Sequence, residues 1–315
     1  MASETLNIVV PFFNEELVIE EFHKRLMEVI NHLDISTRVI YVDDGSTDNT
    51  WSILKRLALS DERLMILQLS RNFGHQSALS AGLDYVDGDI IITMDGDGQH
   101  PPKLIPQLIE MQKKGFDVVQ AQRIDSGERA SAKTLFSKLF YYLINKLGDT
   151  IILEGTSDYR LITRQVLEAY RRVHDYHRFI RGIIPWLGYS VAYIQYTPEE
   201  RIAGKSKYTF TKMLHLAENA VFSFSLVPLR IGLFTGLLFL LLSCIEFIYV
   251  ISFWILGKQA LLQPGWSSIV FLILITGGVL MILISILGIY IGQINQQVKE
   301  RPLYIIKSIY TAHEQ

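Results

Sequence analysis

Two carboxylates and an amide converge in the stretch Thr93-Met94-Asp95-Gly96-Asp97-Gly98-Gln99-His100-Pro101-Pro102, directly after an apolar run. Asp95 and Asp97 are separated by one small residue, so both can turn toward one point, and Gln99 adds a neutral oxygen. Hard oxygen donors of this kind suit Mg²⁺ or Mn²⁺ bridging a diphosphate. A solvated Asp/Gly turn would use the same residue types, and Asp-x-Asp alone is a weak pattern. The preceding element favours the metal. Asp89-Ile90-Ile91-Ile92-Thr93-Met94 is short, β-branched and apolar, as a buried parallel strand is, and such a strand delivers its last residues to the edge where open α/β sheets bind ligands.

The elements that must position this stretch follow from the pattern on either side. Leu6 to Pro11 reads as a first strand, and Leu17, Phe22, Leu26, Val29 and Ile30 recur at helical spacing within a helix expected from Glu15 to Leu33. Thr37 to Val42 is a second strand ending in Asp43-Asp44-Gly45-Ser46-Thr47-Asp48, where Asp48 is placed to cap a helix running to Leu59. A strand at Leu64–Leu69 leads through Arg71-Asn72-Phe73-Gly74 to a helix over His75–Val86, and Pro101-Pro102 opens another that stops near Gly115. Asp117 to Gln122 is a fifth strand. Strands alternating with helices at these intervals predict an α/β fold, an open and mostly parallel sheet with helices on both faces.

The chain has 315 residues and a formal net charge of -2, which gives no reason to expect nucleic acid as a partner. Its single cysteine, Cys244, lies in an apolar run, so neither an intrachain disulfide nor a cysteine metal site is expected. The first apolar run lacks a basic flank and reads as a strand, with no secretory signal. The C-terminal third changes character. From Ile231 to Leu256 only Glu246 is charged, and from Ser267 to Ile294 nothing is. Each stretch exceeds the roughly 20 residues that span a bilayer, so two transmembrane helices joined by a short connector are expected. Arg201, Lys205, Lys207, Lys212 and Arg230 precede the pair and Lys299, Arg301 and Lys307 follow it, while the connector offers Lys258. This bias places both termini in the cytoplasm. The expected layout is a catalytic domain over 1–200, a basic loop and juxtamembrane helix over 201–230, two transmembrane helices over 231–294 and a cytoplasmic tail over 295–315. Glu246, costly inside a membrane unless paired, marks a functional position. Gly232-x-x-x-Gly236 and Gly288-x-x-x-Gly292 permit close helix approach and a homo-oligomer.

Val10-Pro11-Phe12-Phe13-Asn14-Glu15, Val42-Asp43-Asp44-Gly45-Ser46 and Met94-Asp95-Gly96-Asp97-Gly98-Gln99-His100-Pro101-Pro102 come in the order seen in inverting GT-A glycosyltransferases of family 2. Within that family the chain resembles the polyprenyl-phosphate branch, and its two-helix tail is most similar to that of the bactoprenol glucosyl transferases. The resemblance extends to Tyr290-Ile291-Gly292-Gln293 and Arg301-Pro302-Leu303-Tyr304. It implies that Pro11, Glu15, Asp43, Asp44 and Arg71 line the nucleotide pocket, one of the two aspartates accepting a hydrogen bond from the base. Asp95, Asp97 and Gln99 would hold Mg²⁺ or Mn²⁺ on the sugar-nucleotide diphosphate. Glu154 and Asp158 are both candidates for the acid facing the acceptor, and the resemblance favours Asp158. The basic loop from Arg201 to Tyr208 resembles a family loop that closes over the donor phosphates, which gives Arg201 and Lys205 phosphate contacts.

A lipid phosphate acceptor requires cations at the membrane surface. Arg123, directly after the fifth strand, is the first choice, and Arg129 and Lys133 continue along a basic helix with an aromatic and aliphatic face suited to an interface. His75, His100 and His174 are set aside as ligands or acid–base groups because no pair has ligand spacing. Tyr176, His177, Arg178, Phe179 and Trp186 resemble a segment that lines the acceptor side. The implied activity is transfer of glucose from UDP-glucose to undecaprenyl phosphate at the inner membrane. GDP-mannose or another UDP-hexose is the alternative donor, and a non-catalytic lipid-binding or flipping protein is the rival from another class.

Overall fold

The computed structural model describes residues 4–124, 155–175, 178–199 and 265–311, with scattered positions between 234 and 257. The chain divides into two compact units, one of Met1–Ala220 with Arg301–Gln315 and the other of Val221–Glu300.

The first unit is built on a sheet with eight strands among the described residues. These are β1 (Thr5–Phe12), β2 (Ser36–Asp43), β3 (Leu64–Leu69), β4 (Ile90–Thr93), β5 (Val118–Arg123), β6 (Thr156–Thr163), β7 (Val191–Tyr196) and β8 (Ile306–Thr311), in the spatial order β7-β5-β6-β4-β1-β2-β3-β8. β3, β2, β1 and β4 run parallel, as do β5 and β7. This is the expected mostly parallel arrangement. β6 runs against it, inserted antiparallel between β4 and β5.

The central strands are apolar at nearly every position because both faces are covered. Leu6, Ile8, Val10 and Phe12 of β1 face one side, in a core with Phe22 and Leu26 of α1 (Ile19–Ile30), Leu54 of α2 (Thr50–Ser60) and Leu108 of α4 (Ile105–Lys113). The alternate residue Val9 faces the other side against α3 (His75–Tyr85), where a Cβ on Gly82 would lie 2.2 Å from Val9 Cγ1. Helix α3 therefore sits as close to the sheet as a backbone can, which fixes the depth at which its first residues meet the strand ends.

Helix α1 begins four residues later than the apolar spacing suggests. Asn14 has a φ of 53° and Glu16, Leu17 and Val18 form a turn before it. Pro101-Pro102 opens a short 3₁₀ turn (Pro102–Leu104) that passes into α4. Beyond β6 come α5 (Arg164–Arg171) and α6 (Ile180–Trp186).

Residues 295–315, expected as a tail, contribute to the sheet. β8 pairs antiparallel with β3 from Met65↔Thr311 to Leu69↔Ile306, and Ser70 N–H donates to Ile305 O at 2.8 Å. Two side-chain bonds pin it further: Ser308 Oγ donates to Gln68 Oε1 at 3.1 Å and Tyr304 Oη donates to Asp84 Oδ2 at 2.9 Å.

In the second unit, α7 (Trp266–Val298) contains the stretch Ile275–Val298, within which an 18-residue window has a mean hydropathy of 2.2 and no buried residue. Among the described residues it is the one helix long and apolar enough to cross a membrane. The positions described between 234 and 255 are helical as well, but most of the first expected span, Glu246 included, lies outside the described residues. Thr276 turns its hydroxyl back to Leu272 O at 2.7 Å, so its hydrogen bond is met within its own helix.

Candidate active site

The C-terminal ends of β1, β2, β3 and β4 carry the loops in which the sequence concentrates its polar residues. The loops after β1 and β2 are stitched together. Asn14 N–H donates to Ser46 Oγ (2.9 Å), Glu15 N–H to Thr50 Oγ1 (2.9 Å) and Thr47 N–H to Asn14 Oδ1 (2.8 Å). Asp48 accepts from Thr50 N–H at 3.0 Å and from Glu16 N–H as well, while the N-cap of α2 is Asn49, one residue after the expected Asp48.

The paired aspartates at the end of β2 have different environments. Asp44 accepts from the backbone N–H groups of Phe73 (2.7 Å) and Gly74 (3.0 Å), so both of its oxygens hold the turn between β3 and α3. Asp43 accepts from Ser46 N–H through Oδ1, while its Oδ2 is buried and meets no donor at full hydrogen-bond geometry, the Ser46 and Gln68 side chains lying near the carboxylate and favouring its charge. Burial raises both carboxyls, Asp44 to about 6. A buried acceptor left unsatisfied is costly, so Asp43 Oδ2 marks where a donor from a ligand would be received. Arg71 is exposed on the same turn, its guanidinium stacked 4.0 Å from the Phe73 ring.

Asp95 and Asp97 follow β4 on the next loop, where exposure alternates: Asp95, Asp97 and Gln99 are half-buried, and Gly96, Gly98 and His100 are buried. The residue between the two aspartates must be glycine because the Phe12 ring lies beneath it, 2.2 Å from where a Cβ would stand. His100 holds the loop from behind. Its Nδ1 accepts from Asp95 N–H at 2.8 Å, its Nε2 lies 3.6 Å from Asp95 Oδ2, and its ring stacks on Tyr159 at 5.1 Å. Burial lowers the His100 pKa, which keeps it the neutral acceptor that this geometry needs. Asp97 Oδ1 accepts from Gln99 N–H at 3.1 Å. Asp95 Oδ1 is buried and makes no hydrogen bond, its nearest polar neighbour being His75 Nε2 at 3.3 Å in an ion-pair contact. Oxygen-only donors with a spare buried lone pair fit a hard divalent ion.

Asp158 is the centre of a buried charge cluster. It lies on β6, which Thr93 Oγ1 ties to β4 by donating to Asp158 O at 2.6 Å. Gln120 Nε2 on β5 donates to Ser157 O and Tyr159 O at 2.8 and 3.1 Å. The β5–β6 register shifts between Gln120 and Gln122, a bulge that re-aims the strand beside the cluster. Arg181 donates to the carboxylate through Nε (3.1 Å to Oδ1) and Nη2 (2.8 Å to Oδ2). Arg160 Nη2 lies 3.4 Å from Oδ1, and Gln76 Nε2 and His75 Nε2 lie 3.2 Å from Oδ2. Burial alone would raise the Asp158 pKa, but Arg181 and His75 outweigh it and hold the carboxyl well below the usual range. Burial likewise opposes the charge on His75, and Asp95 and Asp158 overcome it and raise its pKa. Arg160 is lowered by burial to about 10 and stays a cation.

His75, discounted from its spacing, therefore stands between Asp95 (3.3 Å) and Asp158 (3.2 Å). Ligand atoms of His75, Asp95 and Asp158 lie within 4.8 Å of one another. Because Arg181 and Arg160 already balance Asp158, the spare acceptor in that group belongs to Asp95. Arg160 and Arg181 were not singled out from the sequence. Asp158 and Arg160 stand two apart on one strand, hence on one face, and that charged pair at strand spacing was the available signal.

Other expected residues are placed as follows. Arg123 is the last residue of β5, its N–H donating to Gly155 O. Glu154, Arg129, Lys133, Arg201 and Lys205 lie outside the described residues, as do Tyr176 and His177. Arg178, grouped with them, forms a half-buried ion pair with Asp84 at 3.0 Å and packs over Tyr170, so it holds α3 to the segment before α6.

Two outcomes follow. Removing the Asp158 carboxylate leaves Arg160, 2 % exposed, as an unpaired buried cation, so Asp158→Ala should lower the free energy of unfolding by about 3–5 kcal/mol. Arg160→Met in the same chain should recover part of that loss in urea titrations. The Asp44 carboxyl is raised in the folded chain from 3.8 to about 6. Its contribution to stability is thus full below its unfolded pKa and lost as pH rises through 6. Asp44→Asn, less stable because its amide faces a backbone donor, should approach the wild type as pH rises from 5 to 7, read from thermal midpoints. A gap that stays constant would contradict the assignment.

Comparison with known proteins supplies the family. Residues 7–171 match the family model described as glycosyl transferase family 2. The chain is 37% identical over 306 residues to the uncharacterized glycosyltransferase YkcC of Bacillus subtilis, covering 96% of this chain and 94% of that one. It is 38% identical over 306 residues to the SfII prophage-derived bactoprenol glucosyl transferase of Shigella flexneri, covering 96% and 97%. It is 38% identical over 308 residues to the prophage bactoprenol glucosyl transferase homolog of Escherichia coli, covering 96% and 99%. With the family model spanning half of the sequence and these relatives nearly all of it, the chain belongs to glycosyl transferase family 2.

Proposed function

We propose that the chain transfers glucose from UDP-glucose to undecaprenyl phosphate with inversion, giving a β-linked lipid phosphosugar on the cytoplasmic face of the inner membrane. The observation that carries this reading is a pair of buried carboxylate oxygens without hydrogen-bond partners at one sheet edge, Asp43 Oδ2 and Asp95 Oδ1. β1 separates β2 from β4, so the two strand ends lie two strand spacings apart, about 10 Å. One oxygen suits the N–H of a nucleobase and the other a cation on a diphosphate. The names of the relatives, bactoprenol glucosyl transferases, supply the sugar and the lipid.

In this reading Pro11, Glu15, Asp43, Asp44 and Arg71 form the nucleotide pocket, with Asp43 accepting from the base and Asp44 holding the turn. Arg201 and Lys205 close over the donor phosphates. A divalent ion held by Asp95, Asp97 and Gln99 would offset charge on the departing nucleoside diphosphate. Arg123, Arg129 and Lys133 draw the lipid phosphate down to the site. Asp158 or Glu154 faces the acceptor, and Asp158, already ion-paired, orients rather than removes a proton. A phosphate monoester with a second pKa of about 6 is largely ionised at neutral pH and needs no base.

The pairing of β8 with β3 supports the membrane layout. It returns the chain that follows α7 to the catalytic unit, which suits the two crossings proposed over 231–294. A Cβ added at Gly288 or Gly292 of α7 would meet no atom of the described residues within 4 Å, a surface that suits close approach by a second copy. A different donor, GDP-mannose or another UDP-hexose, would engage the same residues, since Asp43 Oδ2 accepts equally from a uracil or a guanine N–H.

The test uses the purified full chain with Mg²⁺ or Mn²⁺, undecaprenyl phosphate and a panel of radiolabelled nucleotide sugars, reading label extracted into organic solvent. UDP-glucose should give lipid label that a chelator abolishes. Asp97→Ala should lower transfer about 100- to 1000-fold with the thermal midpoint unchanged. Label from another donor would change the sugar, and no lipid label from any donor would overturn the reading.

A further inference from the structure

One side chain of β8 stands in line with Asp43. Asp43 pairs with Gln68 in the β2–β3 register, and Gln68 pairs with Ser308 in the β3–β8 register. Residues opposite one another in a ladder share a face, so the three side chains form one row across β2, β3 and β8. The row before it on that face, Tyr41, Ile66 and Tyr310, belongs to the apolar core or packs against it. The polar row is therefore the one that closes β2, where the sheet meets the loops of the site. Ser308 Oγ donates to Gln68 Oε1 at 3.1 Å. That bond assigns the two ends of the carboxamide. With its oxygen taken by Ser308, the amide nitrogen is the end that faces Asp43, and the Gln68 side chain accordingly favours the charge on that carboxylate. The opposite orientation would set a carbonyl oxygen against a carboxylate. The β3–β8 register shifts between Gln68 and Leu69, an irregularity that re-aims the strand beside this row.

We propose that Ser308 is a positioning residue for the nucleobase: it fixes the Gln68 carboxamide, which in turn holds the Asp43 carboxylate toward a base N–H. The inference deepens the proposed function and rests on its reading of Asp43 as the aspartate that accepts from the base. It gives β8, which follows the apolar α7 in the chain, a part in selecting the donor. Without the Ser308 hydroxyl nothing on β8 sets which end of the Gln68 amide faces Asp43. A carboxylate that meets nitrogen in some molecules and oxygen in others is a poorer acceptor for the base.

Calorimetry on the full-length protein with Mg²⁺ compares UDP with N3-methyl-UDP, whose base has lost its N–H, across wild type, Ser308→Ala, Ser308→Thr and Ile309→Ala. Ile309 follows Ser308 on the opposite face of β8 and is 39 % exposed, so its variant shows whether loosening the strand is enough to produce the effect. Wild type should bind UDP at least about tenfold more tightly than N3-methyl-UDP. Ser308→Ala should weaken UDP by about three- to tenfold, the equivalent of one neutral hydrogen bond, and leave N3-methyl-UDP within about twofold. Ser308→Thr, which keeps the hydroxyl, and Ile309→Ala should bind both ligands as wild type does. Unchanged UDP affinity in Ser308→Ala, an equal loss for both ligands, or the same loss in Ile309→Ala would overturn the role of Ser308, while discrimination by the wild type still upheld Asp43. A wild type that bound the two ligands equally, or bound neither, would overturn the reading of Asp43 and this inference together.

Discussion

Asp158 carries a negative charge where no water reaches it, and the site is arranged so that this charge is never unbalanced. Taking a carboxylate out of water costs several kcal/mol unless cations and donors replace the lost hydration. Here the replacements come from three separate elements: Arg160 from the same strand, Arg181 from α6, and His75 with Gln76 from the start of α3. Each can reach only because the sheet topology brings it there. β6 must insert antiparallel beside β4, and α3 must lie against β1 at the distance that Gly82 allows. The electrostatic demand of one side chain therefore constrains three elements of the fold.

The other carboxylates at the same edge show how environment divides identical groups into different tasks. Asp44 gives both oxygens to backbone N–H groups and acts as structure. Asp43 and Asp95 each keep one buried oxygen without a hydrogen bond. His100 and Phe12 fix where the Asp95 oxygen lies, one through a backbone hydrogen bond and the other by excluding any side chain at residue 96. The polar loops are thus rigid before any ligand arrives, which reduces the ordering that binding requires.

Much of this was legible in the sequence where the signal is local. The first five strands and the helices between them follow from short apolar runs and helical spacing, and Asp95-Gly96-Asp97 and Asp43-Asp44 announce themselves within a few residues. The different environments of Asp43 and Asp44 were not legible, because Asp44 accepts from the N–H groups of Phe73 and Gly74, some 30 residues on. His75 and Asp158 are 83 residues apart and Arg181 lies 23 beyond Asp158, so no spacing rule joins them. β6 and β8 pair with strands distant in sequence, and β8 follows an apolar segment that hides its membership in the first unit. Local pattern shows what a segment is, and the partners of a buried charge are a property of the whole chain.

The claim that Asp158 works as a fixed anion rather than a proton acceptor is the centre of this account. It is tested most directly by the pH dependence of single-turnover transfer with two acceptors, a polyprenyl phosphate and its phosphonate analogue, whose second ionisation lies at higher pH. If Asp158 stays ionised throughout, the acid limb belongs to the acceptor and should move to higher pH with the phosphonate. An acid limb that keeps the same position for both acceptors would assign the titrating group to the protein and contradict the account.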